Sequence, residues 1–263
     1  MFLAPFCLLA ALTPLAAPTD QPTLPDAQRL FYNAHYEAAA AVTLARRAAD
    51  DAPDLANDEL RSSALLFELR GLLEDRRDKE KALKSCARCA DVISDLLAEI
   101  HRGQEQARAA LQSNRDDNAA LFYLGKIDLN YVWLQLGVLG HRTGWDEYWE
   151  ARRSLDTALA HDPGFVRARL ARSWIDYIVD TKMPWGTRWL LGGGDRKQAL
   201  AEVRKAASAD VDVFVHAEAE FALWDMCVRE RKLTEATEVA RRLAQDFPDN
   251  QEVAAFLSRP AQH

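Results

Sequence analysis

One short spacing of small residues returns five times in this chain and constrains its fold more than any other feature. It runs Ala41-Ala45-Ala48-Pro53, Gly103-Ala107-Ala110-Arg115, Ala151-Leu155-Ala158-Pro163, Ala199-Val203-Ala206-Val211 and Ala236-Ala240-Leu243-Pro248. Steps of four and then three place the three residues of each set on one helical face. Small side chains there let a second helix approach closely. A pattern that recurs along a chain marks stacked supersecondary units, each too small to bury its own apolar face. From Ala27 onward the other apolar residues also follow a helical period, and alternation rich in Val, Ile and Thr is nearly absent. The expected class is all-α, with helices near 27–34, 37–51, 55–74, 78–112, 117–140, 145–161, 164–181, 195–209, 213–231, 233–246 and 250–257.

Helix boundaries have local causes. Asp117 or Asn118, Asp162 and Asp249 stand where N-caps belong, and Pro53, Pro163 and Pro248 fall just after helices that cannot continue through them. Gly103 costs about 1 kcal/mol relative to Ala inside a helix, so it marks either a kink or a close contact. The helix preceding each small-residue helix should carry a large–small pair near its middle, and Leu124-Gly125, Leu170-Ala171 and Phe221-Ala222 supply it. Leu121, Asp128, Trp174 and Trp224 stand near them at positions suited to aromatic residues. Residues 27–257 therefore resemble the tetratricopeptide repeat family, closely in the second helix of each unit and loosely in the first. The resemblance implies an αα-superhelix, a TPR-like solenoid with degenerate repeats.

The spacing departs from that family. Successive stops at Pro53, Arg115, Pro163, Val211 and Pro248 lie 62, 48, 48 and 37 residues apart, against a norm of about 34. In both 48-residue steps the excess falls between the two helices of a unit, at Gln135 to Asp146 and at Thr181 to Gly194. Insertions at equivalent points of adjacent units should emerge on one edge of the stack. With their flanks they hold Trp133, Trp145, Trp149, Trp185 and Trp189, five of the seven tryptophans, with His141, Arg142 and Arg188 among them. Rigid aromatic area beside arginine suits partner binding. The alternative is that the two insertions pack on each other as a private core, Trp185 and Trp189 burying one helical turn.

The stretch from Asp176 through Met183-Pro184-Trp185 and Arg188-Trp189-Leu190-Leu191 to Gly192-Gly193-Gly194-Asp195-Arg196 is similar to a segment of exported bacterial tetratricopeptide proteins. It is similar, more remotely, to the periplasmic T-component of TRAP transporters and to tetratricopeptide proteins of the mitochondrial outer membrane. These relatives imply a non-enzymatic binding role.

Composition bounds the partners. Hydrophobic residues make up 49% of the 263, and the net charge is −7 without a Lys/Arg block. A phosphate backbone requires a cationic footprint, so no nucleic-acid partner is expected. Met1 to Ala17 is uncharged and apolar and reads as a secretory signal peptide, followed by a Pro-rich extended leader over 18–26, the helical domain over 27–257 and a tail over 258–263. The apolar run is short of the roughly 20 residues that span a bilayer, so no transmembrane span is expected in the mature chain. The expected location is periplasmic or secreted, the alternative a cytoplasmic chain with an apolar start.

Cys86, Cys89 and Cys227 remain after the leader. Cys86 lies on the stripe Leu83, Cys86, Ala90, Ile93, Leu97, Ile100, which makes it either a small buried apolar residue or one half of a redox or metal pair with Cys89. Gly192-Gly193-Gly194-Asp195 reads as a flexible turn into a helix. The pairs His216/Glu220 and Asp176/Asp180 lack a third group to orient them, so neither a catalytic role nor a metal or cofactor is expected. The chain reads as a non-catalytic helical-repeat scaffold for a protein or peptide in the cell envelope. The alternative is a solute-binding component of a transporter, closed around an apolar pocket lined by Trp and Arg.

Overall fold

Four of the five small-residue sets face the interior, Ala110 alone of their residues being half-buried, and the helices that carry them build the fold. The computed structural model describes residues 22–50, 52–73 and 79–258, so the expected signal segment and nearly all of the tail lie outside the described residues. Among the described residues every regular element is helical. They are α1 (Leu24–Tyr32), α2 (Tyr36–Ala49), α3 (Leu55–Leu73), α4 (Lys79–Ser85), α5 (Cys89–Ser113), α6 (Asn118–Val132), α7 (Trp145–His161), α8 (Val166–Lys182), α9 (Arg196–Ala207), α10 (Val213–Arg229), α11 (Leu233–Asp246) and α12 (Gln251–Ser258). A π-helical turn at Trp133–Leu139 follows α6, and a 3-10 helix at Trp185–Leu191 follows α8. No helix among them is long and apolar enough to cross a membrane.

Most helices pack chiefly on a neighbour in the chain, α2 on α3, α6 on α7, α8 on α9 and α10 on α11, while α3 and α5 pack on each other across the short α4. Gly103 serves close contact rather than a kink: α5 runs through it unbroken, and a Cβ there would lie 2.6 Å from Ile127 Cδ1 of α6. The first set is out of register. Ala41, Ala45 and Ala48 face solvent, while Ala39, Ala40 and Thr43 form the buried stripe of α2.

Several boundaries differ from expectation for local reasons. α1 begins inside the expected extended leader, because Thr23 and Asp26 form a capping box and Pro25 sits in the first turn, where a missing N–H costs nothing. The expected helix over 78–112 is two, broken at Cys86-Ala87-Arg88. Asp162 closes α7 and takes the Gly164 N–H instead of capping α8, and Asn250 rather than Asp249 caps α12 through the Val253 N–H. Asp117 and Asp195 are N-caps as their positions imply.

The centre is ionic. Lys126 of α6 and Arg167 of α8 lie between Glu59 of α3 and Glu218 of α10: Lys126 Nζ is 2.7 Å from Glu218 and 3.7 Å from Glu59, and Arg167 is 2.7 Å and 3.4 Å from the same carboxylates. The Arg167 guanidinium also lies over the Phe122 ring at 4.6 Å. Burial works against the Glu218 charge, but Arg167 and Lys126 outweigh it and hold the carboxyl down to about 2. A second cluster joins Arg47 of α2, Arg61 of α3 and Glu99 of α5.

The two ends of the array meet. Tyr32, at the end of α1, stacks on Phe214 and Phe221 of α10 and packs on Phe247 after α11. Asn33 Oδ1 accepts the Asp249 N–H at 3.1 Å, and Asn250 Nδ2 donates to the Tyr32 carbonyl at 2.8 Å. The helices therefore form a closed series.

Two outcomes follow from these buried charges. Lys126→Met leaves Glu59 and Glu218 short of a counter-charge, and urea unfolding should register a loss of about 3 kcal/mol, part of it recovered in the Lys126→Met, Glu218→Gln double variant. Asp128 of α6 is fully buried, holds Gln104 at 2.7 Å through one oxygen and leaves the other without a partner. Burial pushes its carboxyl up to about 8, against the pull of Gln104. A raised acid favours the folded state below its ordinary range near 4 and loses that advantage as pH climbs toward 8. Asp128→Asn should therefore be the more stable protein at pH 8, by about 2 kcal/mol, with the gap closing toward pH 4 in thermal melts.

Candidate functional site

The second insertion lies against α7, the helix into which the first insertion leads; of the first insertion, Trp145 reaches it, while the Trp133–Leu139 turn packs on α4 and α6. The second leaves α8 at Met183, makes its 3-10 turn and returns through Gly192-Gly193-Gly194 into α9. It is fastened to α7, the helix that follows the first insertion. The Tyr148 hydroxyl donates to the Leu191 carbonyl at 2.8 Å, and the Arg152 guanidinium donates to the Leu191 and Gly192 carbonyls at 3.1 and 2.9 Å. Arg152 is itself paired with Asp176 of α8 at 3.7 Å. Gly194 is required here, since a Cβ would fall 2.4 Å from the Asp176 carbonyl oxygen. The triglycine is thus a tight turn against α8, and Asp195 caps α9 through the Lys197 and Gln198 N–H groups.

Between these fastenings lies an apolar cleft of about 270 Å³, lined by Trp145 and Trp149 on one side and Met183, Thr187, Leu190 and Leu191 on the other. The buried Tyr148 ring sets the angle of both tryptophans, meeting each edge-on at centroid distances of 6.3 and 5.3 Å. Leu190 at its rim is 53% exposed, and Trp185 and Trp189 on the same turn stand 85% and 73% exposed. The private core pictured as the alternative reading therefore does not include Trp185 or Trp189. Only Leu191 of that turn reaches the interior, where it joins Tyr148, Ile175 and Val179. The Trp189 indole N–H is held by the Gly186 carbonyl at 3.0 Å, which fixes the ring on the surface.

The other residues singled out from sequence have different tasks. Arg188 turns back to Asp180 and to the Met183 carbonyl, pinning the insertion. Asp180 also receives the Arg196 N–H at 3.2 Å, and Asp176 pairs with Arg172 at 2.6 Å, so both carboxylates serve ion pairs. His141 lies 3.0 Å from Gln135 Oε1 within the first insertion, and Arg142 is exposed beside it. Trp133, partly exposed, covers Gly137 inside its own π-helical turn. His216 and Arg242 both face the buried Glu220, at 3.7 and 2.6 Å. Sequence reasoning missed Met183, Leu190 and Leu191 as lining residues. Their signal was aliphatic side chains next to exposed-edge tryptophans.

A larger and more polar cleft, about 480 Å³, opens between α5, α6 and α7. Arg108 and Glu150 bridge it with two hydrogen bonds, and Arg115 and Arg153 stand at its rim.

Cys86 and Cys89 are joined by a disulfide. The buried member is Cys89 and not Cys86, because the break at 86–88 shifts the phase of the apolar stripe. No family model, curated protein or solved structure matches the chain.

Proposed function

We propose that the chain is a non-catalytic, tetratricopeptide-like helical scaffold of the cell envelope that holds a protein or peptide partner at its tryptophan edge. The observation that carries the reading is the apolar cleft flanked by Trp185, Trp189 and Leu190, large side chains left in solvent on a turn that is itself firmly fastened. Contiguous exposed apolar area of this kind, rimmed by polar residues, is characteristic of interaction sites. Preformed aromatic anchors bind with little loss of rotamer entropy. Four buried small-residue stripes and the close approach at Gly103 support the repeat reading.

The inner face supports a solute-binding role less well. Its central position is taken by Glu59, Lys126, Arg167 and Glu218, which satisfy one another. A partner's aliphatic or aromatic side chain fits between Trp145 or Trp149 and Leu190, with the exposed Trp185 and Trp189 offering further contact area on the same turn.

Selection from a random peptide library tests this. Bound peptides should be enriched in an aromatic or large aliphatic anchor. Trp185→Ala with Trp189→Ala should weaken them at least tenfold, a loss of about 2 kcal/mol or more, while the melting temperature stays within a few degrees. Trp133→Ala should leave binding unchanged. Peptides that bind the double variant as tightly as the parent would place the site elsewhere.

A further inference from the structure

The disulfide lies far in sequence from the tryptophan edge and has its own chemistry. Cys86 follows α4 and Cys89 is the first residue of α5, a helix of 25 residues. Cys89 is 1% exposed, whereas Cys86 is only partly buried and the intervening Ala87 and Arg88 face solvent. Cys86 is therefore the more accessible of the two residues, and Cys89 the shielded one. The bridge closes a loop of four residues, and the stabilising effect of a crosslink falls as its loop shortens. The turn is also held by backbone hydrogen bonds, Cys86 N–H to the Leu83 carbonyl at 3.2 Å and Cys89 N–H to the Cys86 carbonyl at 3.4 Å. The arrangement that brings the sulfurs together thus has support besides the S–S bond.

The position of Cys89 suits a leaving sulfur, since it sits at the positive end of the α5 dipole, where a departing sulfur anion is stabilised. Arg88, between the two cysteines in the chain, is taken up by Glu68 at 2.7 Å and Glu37 at 3.1 Å, so the helix end and not this cation supplies that stabilisation. The third thiol does not compete. Cys227 is fully buried in a separate part of the core, and burial together with Glu235 pushes it up to about 11.

We propose that Cys86–Cys89 is a thiol–disulfide exchange site that accepts two electrons from a dithiol partner. A partner thiolate attacks Cys86 Sγ. The Cys86–Cys89 bond breaks, and its electron pair leaves on Cys89 Sγ at the start of α5, which then takes a proton. The partner's second thiolate attacks its own sulfur in the mixed disulfide and expels the Cys86 thiolate, which is protonated in turn. The partner departs as a disulfide, having given up two electrons and two protons, and the chain keeps two thiols. The reverse sequence reoxidises the pair.

Dithiothreitol on the folded chain, followed by iodoacetamide and peptide mapping, provides the first test. Cys86 and Cys89 should be alkylated, and Cys227 should not, at reductant concentrations that leave the helical circular dichroism unchanged. Cys89→Ser should then form a mixed disulfide with oxidised glutathione at Cys86. Cys86→Ser should react at Cys89 at least tenfold more slowly. Reduction that proceeds only in denaturant strong enough to unfold the chain would make the bridge purely structural. Equal rates for the two variants would overturn the assignment of Cys86 as the attacked sulfur.

Discussion

Four charges at the centre of the molecule hold the rest in place. Glu59, Lys126, Arg167 and Glu218 come from four different helices, and each cation contacts both anions. Paired charges in such a position add little net energy, because desolvation consumes most of their attraction. What they add is geometry. Any slip of α6 or α8 relative to α3 and α10 separates a charge from its partner, and that is costly. Apolar packing alone, built here from many interchangeable Ala and Leu contacts, would tolerate several registers. The network selects one of them.

That choice has consequences outward from the centre. With α3, α6, α8 and α10 held around one point, α7 and α9 occupy fixed places on their neighbours, and the connection from α8 to α9 lies against α7 at one edge. The edge is then stiffened from below by Tyr148 and Arg152, which hold the Leu191 and Gly192 carbonyls. Tryptophans that would otherwise collapse into the nearest apolar surface are instead held out in solvent by a turn whose ends cannot move.

The helical class and most element positions were legible in the sequence, because period and spacing are local properties; the shared edge expected of the two insertions is formed by the second insertion and α7, with Trp145 alone of the first joining it. The stripe on α2 was misplaced because Ala39, Ala40, Ala41 and Ala45 offer two nearly equivalent small faces, and only contact with α1 and α3 decides between them. The break before α5 was missed because Leu83, Cys86, Ala90 and Ile93 keep an acceptable period across a turn. Arg188 and His141 have local acceptors, Asp180 and Gln135, that the sequence alone does not show. The central network was illegible for a different reason. Its members are up to 159 residues apart in the chain, and each alone looks like part of a solvated face.

The meeting of Tyr32 with Phe214, Phe221 and Phe247 bears on how the chain acquires its structure. An open stack of helices can add units one after another as they are synthesised. Here the first described helix has aromatic partners in the last third of the chain, so Tyr32 gains them only once that part has been made. Joining beginning to end closes a large loop, and long-range contacts of this kind slow folding and lengthen the exposure of apolar surface.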